Sequence, residues 1–177
     1  MEKLEENYDV TLHWRAFQLR PPGSPPISPQ RRAQIEASRP LLQKRAREQY
    51  GLELNPGPFE VDSRPALVVA KYAESQGKGN AFHTAAMRAY WQQARVIDDE
   101  QVLKEIADSV GLNTRDFTTI VRSPAFSKEV DADIALAHEY GLDGVPALIF
   151  ANKYLVMGAQ PYEVLKRAVE KAQADGA

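Results

Sequence analysis

The residues that could do chemistry in this chain are few, and one expected kind is missing altogether. The 177-residue sequence contains no cysteine, so thiolate nucleophiles, thiolate metal sites and disulfides are excluded. Its three histidines, His13, His83 and His138, lack the i, i+4 spacing of a helical metal pair, and surface or half-buried histidines are the stronger reading. No Gly-x-Ser-x-Gly elbow occurs. Ser75-Gln76-Gly77-Lys78-Gly79 lacks the full phosphate-loop spacing and reads as a helix stop and start. The most specific run is Gly144-Val145-Pro146-Ala147-Leu148-Ile149-Phe150, then Asn152-Lys153-Tyr154-Leu155-Val156-Met157-Gly158 and Ala159-Gln160-Pro161. It reads as a proline-led buried strand, a tight turn, a second short strand and a closing helix. Proline is well tolerated as a strand's first residue, which is the plain structural account of Pro146.

Composition narrows the partners. With 24 acidic and 22 basic side chains the net charge is −2, which favours neither nucleic acid nor an anionic membrane. Arg31, Arg32, Arg39, Lys44, Arg45 and Arg47 form one basic stretch. Glu36 and Glu48 interrupt it and no aromatic residues interleave, so a solvated helix face is expected. No apolar run approaches the roughly 18 residues of a membrane span, and the charged Met1–Asn7 segment has no signal-peptide core. A cytoplasmic protein without cofactor or metal is expected.

These residues must be positioned by a mixed α/β chain. Val10, Leu12 and Trp14 alternate with Thr11, His13 and Arg15, predicting a strand over Val10–Phe17 that Pro21-Pro22-Gly23-Ser24-Pro25-Pro26 ends. Residues 29–50 predict a helix or helix pair interrupted near Pro40 and stopped at Gly51. Ser63 is expected to cap a helix with Pro65 in its first turn and with Leu67, Val68 and Tyr72 buried. Phe82, Ala86 and Tyr90 recur at helical spacing beside Met87 and Trp91; core packing is the stronger reading of these side chains and a ligand groove the weaker. Asp98 with Gln101 resembles a capping box, Thr114 a cap, and Ser123-Pro124 another helix start, with Val130, Ile134 and Tyr140 on one face. A last amphipathic helix follows Pro161. Domain organisation is read as a core of residues 1–20 and 141–177 with helical insertion over 21–140.

In this order the segments resemble the DsbA-like branch of the thioredoxin superfamily, including its FrnE-type oxidoreductases and the related 2-hydroxychromene-2-carboxylate isomerases. His13-Trp14-Arg15-Ala16-Phe17-Gln18-Leu19 before Pro21 is similar to the family's second strand. Ser63-Arg64 with Ala66-Leu67 and Tyr72-Ala73, and Ala81-Phe82-His83 through Tyr90-Trp91, are similar to its helices. Gly144-Val145-Pro146 with Gly158-Ala159-Gln160-Pro161 is similar to its cis-proline strand and following turn. The resemblance runs from about Glu5 onward and implies a thioredoxin-like fold of class α/β with an inserted helical subdomain.

It also implies what to expect of function. The family's first strand and Cys-x-x-C turn are expected to be missing, since nine residues ahead of Val10 cannot hold a strand of about 5–6 residues plus a helix of about 11–12. The simplest expected cause of that gap is a start placed too late or a trimmed chain. The resemblance implies a thiol–disulfide oxidoreductase family member that is redox-inert as this chain, or a non-catalytic peptide-binding module, or a remnant of a glutathione-dependent isomerase. No catalytic residue is assigned. Gly144, Val145 and cis-Pro146 are implied as the substrate ledge, where the Val145 backbone pairs with substrate. Polypeptide substrates or glutathione-like thiols are implied as partners, with a homodimer through the vacant sheet edge.

Overall fold

The computed structural model describes residues 1–176 and gives a mostly helical chain with one small two-stranded sheet. The elements in order are α1 (Glu2–Asn7), α2 (Pro29–Tyr50), α3 (Arg64–Ser75), α4 (Gly79–Gln93), α5 (Glu100–Ser109), α6 (Phe117–Val121), α7 (Pro124–Glu139), β1 (Ala147–Phe150), β2 (Tyr154–Met157) and α8 (Tyr162–Ala174). Two compact units result: Met1–Leu19 with Asp133–Ala177, and Arg20–Ala132.

The larger unit is built on α3, α4, α5 and α6. Val69, Ala73, Phe82, Ala89, Leu103, Ile106, Ala107, Leu112 and Phe117 form its core. Small residues at Ala66, Ala73, Ala89 and Ala107 let the helices approach while Phe82 and Leu103 fill the space between them. Helix α2 stands apart in character, with Ala46 as its buried residue. It is fastened by the chain that follows it: Gln43 donates to the Leu54 carbonyl at 3.0 Å, Arg47 binds Glu53, and the guanidinium groups of Arg32 and Arg39 lie 4.7 and 4.6 Å from the Phe59 ring centre.

Several expectations are corrected here. Helix α2 is single and passes through Pro40; the ring removes one backbone donor there, and bonding on both sides continues to Gly51, whose left-handed φ of 64° closes the helix. Ser63 does not cap α3 with its side chain; the Asp62 carboxylate takes the Arg64 N–H at 2.9 Å. The cap of α5 is Asp99, which accepts from Val102 N–H at 2.9 Å, while Asp98 accepts from the Asp62 amide. Thr114 is buried and donates to Asp108 rather than capping α6. Met87 and Tyr140 are exposed, not core.

The smaller unit holds the largest correction. Val10–Phe17 is not a strand. Its side chains keep the expected alternation, half-buried at Val10, Leu12 and Trp14 and exposed at Thr11, His13 and Arg15, but among the described residues no strand pairs with it, and a strand is defined by its ladder. The segment is tied instead by Asp133 of α7. One carboxylate oxygen accepts from the buried Ala16 N–H at 2.8 Å and the other from Arg15 at 3.1 Å. Helix α1 buries Leu4, and the Tyr8 hydroxyl reaches Glu170 of α8 at 3.0 Å.

β1 and β2 form an antiparallel hairpin in the register Ala147↔Met157 to Phe150↔Tyr154. Its turn has Ala151 and Asn152 at positive φ, and Lys153 N–H bonds the Phe150 carbonyl at 2.9 Å. Both strands pack on α8.

Candidate functional site

Gly144, Val145 and Pro146 stand immediately ahead of β1 and are brought together as one ledge. The Val145–Pro146 peptide is cis, the isomer that the resemblance implies. Pro146 has no N–H to give the ladder, but its carbonyl accepts from Gly158 N–H at 2.8 Å, which pins the ledge to the end of β2. Gly158 can turn there because its φ is 76°. Gln160 Nε2 then bonds the Met157 carbonyl at 2.9 Å and steadies the turn into α8.

The ledge is open. Val145 is 52% exposed, and a Cβ built on Gly144 would meet no heavy atom within 4 Å. Beside it, Ile149, Leu155 and Met157 are 38%, 48% and 38% exposed. Register places Ile149 opposite Leu155, so these side chains share one bare, uncharged face of the hairpin. The opposite face packs toward α8. An exposed apolar face beside an accessible backbone is suited to holding an extended polypeptide, by main-chain bonds and side-chain contact.

Nothing on the ledge can act as nucleophile or proton carrier. The groups whose proton affinities shift lie elsewhere. Loss of water around the half-buried Tyr8 phenol, followed by its bond to the Glu170 carboxylate, raises that pKa to about 12. Burial lowers the pKa of His83 on α4. Among the described residues no group of three or more His, Asp or Glu side chains is placed to hold a metal ion, and no helix is long and apolar enough to cross a membrane. The Phe82–Trp91 cluster packs rather than forming a groove: Phe82 is buried, Tyr90 and Trp91 meet edge to face at 5.2 Å, and Tyr90 donates to the Pro58 carbonyl. Sequence reasoning missed Asp133, the buried acid that holds Ala16; its signal is a carboxylate on the same face of α7 as Val130 and Ala137.

A proline-led β-hairpin closed by a C-terminal helix, joined to a helical unit, defines the chain as a thioredoxin-like protein of the DsbA type. The DSBA-like thioredoxin domain pattern matches residues 1–170, and the chain belongs to that family. It is 25% identical over 180 residues to the uncharacterized protein YwbO of Bacillus subtilis, covering 97% of this chain and 87% of that one. It is 27% identical over 113 residues to the ClpXP adapter protein SpxH of Shouchella clausii, covering 59% of this chain and 38% of that one. Among solved structures, a probable DsbA oxidoreductase, SCO1869 from Streptomyces coelicolor, superposes with TM-score 0.71 at 27% identity. That match covers 80% of this chain and 62% of the other. A 2-hydroxychromene-2-carboxylate isomerase gives TM-score 0.80 at 21% identity over 99% of this chain and 89% of that one, a likeness of fold.

Proposed function

We propose that residues 1–177 carry the polypeptide-docking half of a DsbA-like thiol–disulfide oxidoreductase site and none of its redox half. The observation that carries this reading is the open Gly144–Pro146 ledge in a chain with no cysteine. Disulfide exchange proceeds by thiolate attack through a mixed disulfide, and this chain can form neither partner of that bond. Docking needs only the Val145 backbone and the apolar face beside it.

A second reading is favoured by the likeness to SpxH, named as an adapter. On it, the ledge serves binding alone, and the chain presents polypeptides rather than processing them. Both readings share the docking step and differ in whether a thiol acts beside it.

Insulin reduction by dithiothreitol, run with the chain and with a cysteine-containing relative, tests the redox half. The chain is expected to leave the uncatalysed rate unchanged while the relative accelerates it. Acceleration by the cysteine-free chain would overturn the reading.

A further inference from the structure

We propose that α2 is a strap that unfastens from residues 53–60 and melts as one unit, while those residues stay bound to α4 and the α3–α6 core stays closed. The inference is independent of the docking and redox readings, since it concerns the larger unit alone. Residues 53–60 are attached in two different ways. Toward α4 the attachment is mostly backbone. Asn55 N–H donates to the Trp91 carbonyl at 2.7 Å, Gly57 N–H to the Tyr90 carbonyl at 2.7 Å, and Ala94 N–H to the Asn55 carbonyl at 3.0 Å. The Tyr90 hydroxyl donates to the Pro58 carbonyl at 3.1 Å, and a Cβ on Gly57 would stand 2.7 Å from the Tyr90 ring.

Toward α2 the attachment is mostly charged side chains. Arg47 donates to both oxygens of Glu53 at 2.6 and 2.7 Å, and both side chains are exposed. The Glu60 carboxylate accepts from Ile27 N–H at 2.7 Å and from Arg32 at 3.1 Å, with Arg20 at 3.9 Å. Arg32 and Arg39 lie against the Phe59 ring, and the bond from Gln43 to the Leu54 carbonyl is a neutral link.

The two attachments differ in strength. Exposed ion pairs each contribute little and are screened by salt, whereas helices in proteins draw most of their stability from apolar packing. Of the 22 residues in α2, Ala46 is the buried one. Pro40 removes a backbone donor inside the helix, so a released α2 does not persist in water and its amides exchange. Glu60 is the latch. One carboxylate ties down both the segment entering α2 and Arg32 near its start. It does so from a left-handed φ of 62°, which a non-glycine residue keeps when its surroundings impose it.

Hydrogen exchange of the whole chain, read amide by amide, tests this. The α2 amides are expected to exchange about a hundredfold faster than those of Val69, Leu103 and Ile106, with Asn55 and Gly57 remaining slow. Raising salt from about 0.1 M to about 1 M shortens the Debye length from about 10 Å to about 3 Å. That change should speed α2 about threefold and leave the core amides unmoved. Glu60→Ala should speed α2 about tenfold, again with the core unmoved. Arg47→Ala and Glu53→Ala should each speed it about threefold, and together by less than the product, because they remove one pair. Amides of α2 as slow as those of the core would overturn the proposal. So would Asn55 and Gly57 opening together with α2, or independent effects of Arg47→Ala and Glu53→Ala. Should Glu60→Ala fail to fold, the salt series and the Arg47–Glu53 cycle still decide.

Discussion

Asp133 offers the sharpest test of how the N-terminal segment is held. Its side chain is 5% exposed and accepts from the buried Ala16 N–H at 2.8 Å and from the Arg15 guanidinium at 3.1 Å. Asp133→Ala removes a charge-assisted hydrogen bond, a class that contributes about 1.5–3 kcal/mol, and leaves a buried amide unsatisfied at about 1–3 kcal/mol. These descriptions overlap because they concern the same bond. The Arg15 side chain is 63% exposed, so that pair adds about 1 kcal/mol at most. The expected loss is about 2–4 kcal/mol, a large share of a typical stability of about 5–15 kcal/mol. Asp133→Asn retains an acceptor for Ala16 and should cost about half as much, and Arg15→Ala under about 1 kcal/mol. Urea unfolding gives the global value, and hydrogen exchange at the Ala16 amide gives the local one. Asp133→Ala within about 0.5 kcal/mol of the native chain, with Ala16 still protected, would refute the reasoning.

Other outcomes follow from the larger unit. Leu103→Ala, at a fully buried position, should cost about 2–5 kcal/mol in chemical unfolding, whereas Met87→Ala, which is exposed, should be nearly neutral. Gly57→Ala would place a Cβ 2.7 Å from the Tyr90 ring and 2.9 Å from the Arg95 carbonyl, so a loss of about 1–3 kcal/mol is expected in the melting curve. Burial lowers the pKa of His83 below 6.5 in the fold, so its neutral form is the one folding favours. That contribution is present above the unfolded pKa and is lost as pH falls from 6.5 through the lowered value. His83→Gln should flatten this part of the stability–pH curve.

The elements that declared themselves in the sequence did so through strong local signals. Gly51 marked a helix end, and the apolar run after Pro146 marked a strand. The backbone geometry around Pro146 was legible for the same reason: Pro146 and Gly158 lie close in sequence and bond to each other directly. Where competing groups stand side by side, sequence could not choose, as with Asp98 and Asp99 or Asp62 and Ser63. The Val10–Phe17 alternation was read correctly as burial and wrongly as a strand, because period-2 burial is a property of a segment and a ladder is a property of two. Asp133 bonds a partner more than a hundred residues away, a relation with no local trace.

The central claim is that this cysteine-free chain offers a polypeptide-docking ledge at Gly144–Pro146. The most direct measurement is an amide NMR titration with an extended, uncharged, β-branched peptide. The account predicts saturable shifts centred on the Gly144, Val145 and Ala147 amides, with the core amides of Leu103 and Ile106 unmoved, and their loss in Val145→Asp. Shifts confined to α2–α6, or no shifts at millimolar peptide, would contradict it.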